Sequence, residues 1–285
     1  MATIAFLGTG LLGGAFAEAA AKRGDSVTAW NRTMDKVAAL AQFGVKAAAT
    51  PAEAVRGASR VHLILKDDAV VNEVIAAARA GLSADAVLID HTTTLPMLTA
   101  ERAFRLQAEG IKYLHCPVFM APLHARNAQG SMMATGPAAL FESVKEELAK
   151  TTGTLNYLGE RADFAAANKL LGNAMLLGVY ATMADVLTLA QASNVNAEDA
   201  IKLLSVFDMN AMIAMRGAKM AKGNFDLSFE LAMARKDVRL MLETAGDRPL
   251  AALPAVAARM DQLIAAGRGA EDVSVLGIDA LARPT

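Results

Sequence analysis

Along the first half of the chain, short apolar runs alternate with stretches whose apolar positions recur at helical spacing. Thr3–Gly8 is short, apolar and closed by glycine, and Leu11–Arg23 follows with helical periodicity. Ser26–Trp30, Val61–Leu65, Ala86–Asp90 and Tyr113–Val118 predict further strands. Thr33–Phe43, Val70–Arg79 and Pro96–Ala108 predict helices. Thr50-Pro51-Ala52-Glu53 reads as a helix start, with a threonine cap, a proline in the first turn and a glutamate to complete a capping box. Ser131–Thr135 and Leu155–Leu158 read as closing strands around a helix over Pro137–Ala149. Alternation of this kind implies a parallel sheet with helices on both faces.

The pattern changes near Glu160, after which no comparable strand run occurs. Ala162–Ala192 reads as one helix of about 46 Å at ~1.5 Å per residue, too long for one small domain. Asn196–Leu204, Met209–Met220, Leu227–Ala245 and Pro254–Ala266 predict further helices. The expected fold is α/β. A Rossmann-type doubly wound domain over 1–160 is joined by the long helix to an all-α substrate and dimerisation domain over 161–285. The most apolar stretch, Leu170–Ala184, contains Asn173 and stops at Asp185, short of the ~20 apolar residues a bilayer needs. No membrane span is expected, and no signal peptide, since the N-terminus lacks a positive region.

Charge and composition narrow the function. Lys plus Arg is 28 against 29 Asp plus Glu, a net charge of −1. That balance excludes a broad basic surface for nucleic acid and a polybasic membrane anchor. Hydrophobic residues make up 54% and charged residues 20%, enough to bury a large core. Cys116 is the one cysteine, so no internal disulfide and no cysteine-based zinc site can form. No metal is expected, and a reducing, cytoplasmic compartment is.

The chemistry begins at Gly8-Thr9-Gly10-Leu11-Leu12-Gly13, a G-x-G-x-x-G loop between a strand and a helix. Its glycines suit a tight turn, close approach of backbone to a pyrophosphate, and close helix–strand packing. The helix N-terminus offers free N–H groups to phosphate. After the second strand an NAD site usually has an acidic residue, but this chain has Asn31-Arg32-Thr33, with Lys36 beyond. A guanidinium there suits a ribose 2′-phosphate, so NADPH is expected over NADH.

In these motifs and those that follow, the chain resembles the β-hydroxyacid dehydrogenase family. Leu65-Lys66-Asp67-Asp68 looks like the family's cofactor-lining segment, and the resemblance implies cofactor contact at Leu65, Lys66 and Asp67. Asp90-His91-Thr92-Thr93-Thr94-Leu95-Pro96 is similar to its D-x-S-T-x-x-P, which implies that Thr93 touches cofactor and substrate. Asn168-Lys169 and Asn173 match its catalytic helix, and Lys236-Asp237 its late pair, with Lys236 on the cofactor. One motif departs. Where the family carries a Ser-Gly-Gly carboxylate cradle, this chain reads Phe119-Met120-Ala121. His124, Arg126 and Asn127 are available as replacement polar groups, and Gly172 stands where the family usually has a further asparagine.

Hydride transfer to a carbonyl needs a proton donor at the developing alkoxide. Lys169 and Asn173 are four apart and share one helix face, in apolar surroundings that should lower the lysine pKa. The substrate residues are then Thr93, Phe119, Met120, Ala121, Lys169 and Asn173. The methionines at 209, 212, 215 and 220 suit core or interface, and Asp185 lies about 160° around the helix from Lys169. The expected function is an NADP(H)-dependent 3-hydroxyacid dehydrogenase or semialdehyde reductase, working as a homodimer or homotetramer on a small-molecule substrate. Imine reduction on the same architecture, or a non-catalytic dinucleotide-binding module, are the alternatives.

Overall fold

The computed structural model describes residues 2–281, which divide into two compact units at the junction of Asn173 and Ala174. In the first unit, β1 (Thr3–Leu7), β2 (Ser26–Trp30), β3 (Lys46–Ala47), β4 (Arg60–Leu63), β5 (Val87–Asp90) and β6 (Lys112–His115) form one parallel sheet in the order β3-β2-β1-β4-β5-β6. The order reverses at β1 and β4, so the crevice at their C-terminal ends is where a doubly wound sheet binds its ligand. Ile4, Phe6, Phe16, Ile89 and Leu114 are buried on one face of the sheet, and Leu7, Leu63, Val71, Ile75 and Leu88 on the other. β1 is therefore apolar at nearly every position, as a strand covered on both faces must be.

A second sheet holds β7 (Val118–Phe119), β8 (Ser131–Ala134) and β9 (Thr154–Tyr157), antiparallel between β7 and β8 and parallel between β8 and β9. The single strand expected over Tyr113–Val118 is thus two. Pro117 has no amide to donate to a ladder, and the Pro117 carbonyl accepts from Met133 N–H in the second sheet instead. Four more expectations change in detail. The helix over Thr33–Phe43 is two turns, Asp35–Ala38 and Ala41–Phe43, stopped by Gly44 at φ +86°. Met209–Met220 is interrupted by a π-turn at Ile213–Gly217. The helix Leu253–Leu263 ends in another, where Gly267 adopts φ +82°. Thr50 caps the helix Pro51–Val55 by accepting from Glu53 N–H, but the Glu53 carboxylate takes Ala49 N–H, not that of the cap.

The long helix spans Phe164–Ala192. The division between units falls within it, because Ala165 and Ala166 are buried in the first unit. By length and composition alone it is long and apolar enough to cross a membrane, against the expectation drawn from Leu170–Ala184. The alanines and leucines past Asp185 extend the run. Asp185 itself is buried and accepts the N–H groups of Ala251, Ala252 and Leu253 at the start of the helix Leu253–Leu263. Burial raises its pKa, and these three bonds outweigh that and lower it. The core of the second unit joins Leu231, Val238, Met260, Leu263 and Val275.

Candidate active site

The glycine loop leaves β1 where each glycine has a separate job. Gly8 sits at φ +98°, and a Cβ there would stand 2.2 Å from the Ile64 carbonyl oxygen. A Cβ on Gly13 would stand 2.0 Å from the Gly8 oxygen, so turn and helix close only without side chains. Gly10 has nothing within 4 Å of its Cβ position: its bareness leaves open space in front of the helix. Among the described residues, no side chain caps the helix Leu11–Lys22, and the Thr9 hydroxyl is buried without a partner. Uncapped N–H groups, an orphaned hydroxyl and cleared space fit a phosphate-bearing cofactor. Leu11 is 86% exposed over this opening, and Leu12 packs on the core.

Asn31 ties the second strand to the loop. Its side-chain oxygen accepts from Thr9 N–H at 3.0 Å, and its amide donates to the Thr33 carbonyl at 2.9 Å. Arg32, Thr33 and Lys36 are exposed beside it, and neither cation forms a salt bridge among the described residues.

The loops after β4 and β5 are braced from below. Asp67 caps the helix Asp68–Ala78 by accepting from Val70 N–H, while Lys66 is exposed. Leu65 N–H donates to the Thr92 hydroxyl at 3.1 Å. Asp90 accepts from Thr92 N–H and from the Tyr113 hydroxyl, and Asp68 accepts from Leu95 N–H and from the fully buried Arg102. Thr92 and Thr94 point inward and are buried, which leaves Thr93 facing out. No local pattern in the sequence marks the Asp68–Arg102 pair, whose members lie 34 residues apart; an acid at a motif position is its one trace.

Beneath the sheet, Phe6, His62, His91 and Phe16 stack in a row with ring centroids 4.9 to 5.3 Å apart. The Cys116 carbonyl accepts from His91 Nδ1, and His62 Nδ1 then donates to His91 Nε2 at 2.9 Å. Burial holds both imidazoles neutral and lowers their pKa values, pushes His115 down to about 4, and raises the Cys116 thiol.

The divergent loop and the long helix meet. The Lys169 ammonium stands 4.1 Å from the centroid of the Phe119 ring, and burial lowers its pKa. Lys169 and Asn173 are half-buried on one helix face. No carboxylate pairs with Lys169 among the described residues. Met120 packs on the core, and Ala121 is exposed. Two of the three replacement polar groups have partners. His124 Nδ1 accepts from Ala121 N–H at 3.1 Å, and Arg126 donates to the largely buried Glu18 at 2.7 Å. Glu18 was not singled out from sequence; its place on an otherwise apolar helix face was the available signal. In the second unit, Lys236 is exposed in the helix Leu231–Ala245 and pairs with Asp237 at 2.8 Å. Tyr180 and Met215 are exposed as well. A cavity of about 1090 Å³ lies along the free edge of β6, between Phe104 and Leu140, and none of the residues above apart from Tyr113 and His115 lines it.

Residues 3–159 match the family described as the NAD binding domain of 6-phosphogluconate dehydrogenase, more than half of the chain. The 3-sulfolactaldehyde reductase of Escherichia coli is 26% identical over 97% of this chain and 95% of its own length. An imine reductase from Streptomyces aurantiacus superposes with a TM-score of 0.88 at 26% identity, covering 99% of this chain and all of the other. A reductive aminase from Aspergillus terreus, solved with NADPH and ethyl levulinate, superposes with a TM-score of 0.87 over 99% of this chain and 100% of its own, and at 22% identity that likeness is one of fold.

Proposed function

The chain belongs to the β-hydroxyacid dehydrogenases, oxidoreductases built on the NAD binding domain of 6-phosphogluconate dehydrogenase, and on that premise we propose that it is an NADPH-dependent reductase of a small carbonyl compound with Lys169 as proton donor. The observation that carries this reading is Lys169: a half-buried ammonium without a carboxylate partner among the described residues, its pKa lowered by burial. A lysine so placed gives up its proton more readily than one in water, as a general acid at a developing alkoxide must. Asn173, one turn on, is placed to hold the ammonium or the substrate oxygen.

For the cofactor, the loop from Gly8 to Gly13 would hold the pyrophosphate on the N–H groups of the helix Leu11–Lys22. Arg32, with Asn31, Thr33 and Lys36, would hold the 2′-phosphate; the lack of a competing carboxylate at Arg32 among the described residues supports this. Leu65, Lys66, Asp67, Thr93 and Lys236 complete the proposed cofactor contacts. Bound NADPH supplies the hydride. Thr93, Phe119, Met120 and Ala121 form the proposed substrate wall. Engagement of Arg126 by Glu18 supports a substrate without a carboxylate.

Reduction of an imine is the second reading. The aromatic ring over Lys169 favours it, and so does the likeness to the Streptomyces aurantiacus enzyme. Turnover measured with NADPH on matched aldehydes, ketones, aldehyde acids and cyclic imines separates the two. Best kcat/KM on an uncharged carbonyl is expected. Best kcat/KM on an imine selects the second reading, and stoichiometric NADPH binding without turnover on any of them refutes both.

A further inference from the structure

Two departures from the family pattern, Phe119 and Gly172, lie 53 positions apart in sequence and touch in space. A Cβ built on Gly172 would stand 2.2 Å from Phe119 Cζ, 2.8 Å from Cε1 and 3.1 Å from Cε2. A side chain at 172 and the ring in its present place exclude each other. The same ring lies 4.1 Å from the Lys169 ammonium, and Lys169 is three residues before Gly172, its neighbour on the helix surface.

We infer that Phe119 and Gly172 form one device, in which the bare helix surface at Gly172 seats the Phe119 ring and the ring face positions the Lys169 ammonium and bars an anionic group from it. The device rests on the reading of Lys169 as proton donor and gives that reading a substrate class: an uncharged carbonyl compound with an apolar substituent. The ring acts in two ways. Its bulk removes water from the lysine, and its negative face returns part of the stabilisation that the cation loses. An anionic substrate group would otherwise be the natural partner of an unpaired ammonium. With an aromatic face already there, a carboxylate would have to displace the ring or stay apart from the charge. Phe119 is therefore a positioning residue acting through Lys169, and Gly172 is the space it needs.

The contact is with the tip of a mobile side chain, so Gly172→Ala should push the ring aside and leave the fold intact. The test combines Phe119→Ala, Gly172→Ala, the double variant and Phe119→Leu. Two readouts are followed: kcat and KM on the best uncharged carbonyl substrate, and the rate at which Lys169 is acetylated by acetic anhydride, followed by peptide mass spectrometry. Gly172→Ala should lower kcat about three- to tenfold, the scale of a partly desolvated cation–π contact, and raise Lys169 acetylation severalfold. In the Phe119→Ala background the same substitution should change neither by more than about twofold, since the ring it displaces is gone. Phe119→Leu keeps the bulk and loses the aromatic face, so it should keep Lys169 acetylation slow and lower kcat. Equal effects of Gly172→Ala in both backgrounds would overturn the inference, as would acetylation of Lys169 insensitive to every variant. The coupled acetylation pattern in an enzyme whose Lys169→Ala variant keeps full kcat would overturn it together with the proton-donor reading. An insensitive pattern in an enzyme that needs Lys169 would overturn the device alone.

Discussion

At the scale of single residues, the proposed cofactor and the proposed proton donor both rest on charge. Arg32 is exposed just past β2 and pairs with no carboxylate among the described residues, so a 2′-phosphate would meet an unengaged guanidinium. Arg32→Ala should weaken NADPH binding by about 1.5–3 kcal/mol, the value of a charge-assisted bond, and leave NADH nearly unchanged. Fluorescence titration of both nucleotides checks this, and equal affinities in the wild type would refute it. Lys169→Ala should lower kcat by about 10²–10⁴-fold, the usual contribution of a general acid, with NADPH affinity little altered. A variant with near-normal kcat on the best substrate would place the proton source elsewhere. Of these residues, the placement of the glycine turn and of an exposed Arg32 was legible in the sequence because the signals are local: a turn, a helix start and a charge within a few dozen positions. The Phe119–Gly172 contact was not, although both residues stood out. Nothing in a one-dimensional pattern says that two unusual positions on a strand and a distant helix share one volume.

Among the elements, the loop glycines separate fold from binding. Gly13→Ala would drive a Cβ into the Gly8 carbonyl, a backbone atom that cannot swing away, so it should lower the melting temperature and NADPH affinity together. Gly10→Ala meets only open space and should leave the melting temperature within about a degree while weakening NADPH several-fold, because its methyl stands where backbone should approach phosphate. Calorimetry beside nucleotide titration distinguishes the two, and a Gly10→Ala enzyme with unchanged affinity would remove the phosphate from this loop. Strands β4 and β6 carry a different liability. His62 and His115 lie on them, His91 directly follows β5, and all three are buried with pKa values below the ordinary 6.5, His115 at about 4. The unfolded chain then takes up protons first as pH falls. Stability should be full above about pH 6.5 and decline towards pH 4, by about 3 kcal/mol from His115 alone, the other two adding the same sign. Urea melts at pH 7 and pH 4.5 measure this, and a flat profile would mean that the imidazoles reach solvent. Element order was readable from the alternation of apolar runs and helical stretches, but the short pieces were not. β3 has two residues, and β7 begins after Pro117 inside what reads as one continuous strand. The cap that Asp185 gives to residues 251–253 spans 66 positions and leaves no periodic trace.

For the whole molecule, the long helix poses a problem that one chain does not solve. Leu171, Leu176, Leu177 and Tyr180 on it are 47 to 69% exposed, and Leu203, Val206, Phe207 and Met215 further along are 55 to 71% exposed. A run this apolar left in water would be a liability for any monomer, since exposed patches beyond a few hundred Å² mark interaction surfaces. Three occupants compete for it: lipid, another protein and a second copy of the chain. The helix is long and apolar enough for lipid, yet Asp185 on it is buried and holds three backbone amides, which fixes that face to the protein. A second copy needs no further component and buries the same residues twice about a two-fold axis, the commonest arrangement among soluble oligomers. We therefore expect a homodimer or homotetramer. Sedimentation at micromolar concentration should give a mass of two or four chains, and a monomer would refute the expectation. Leu177→Asp, in the middle of the apolar run, should shift the distribution towards the monomer, because a carboxylate at a desolvated interface costs several kcal/mol where the same substitution on a free surface costs almost nothing. An oligomer indifferent to that substitution would assemble through another face, and the helix would then need a different partner.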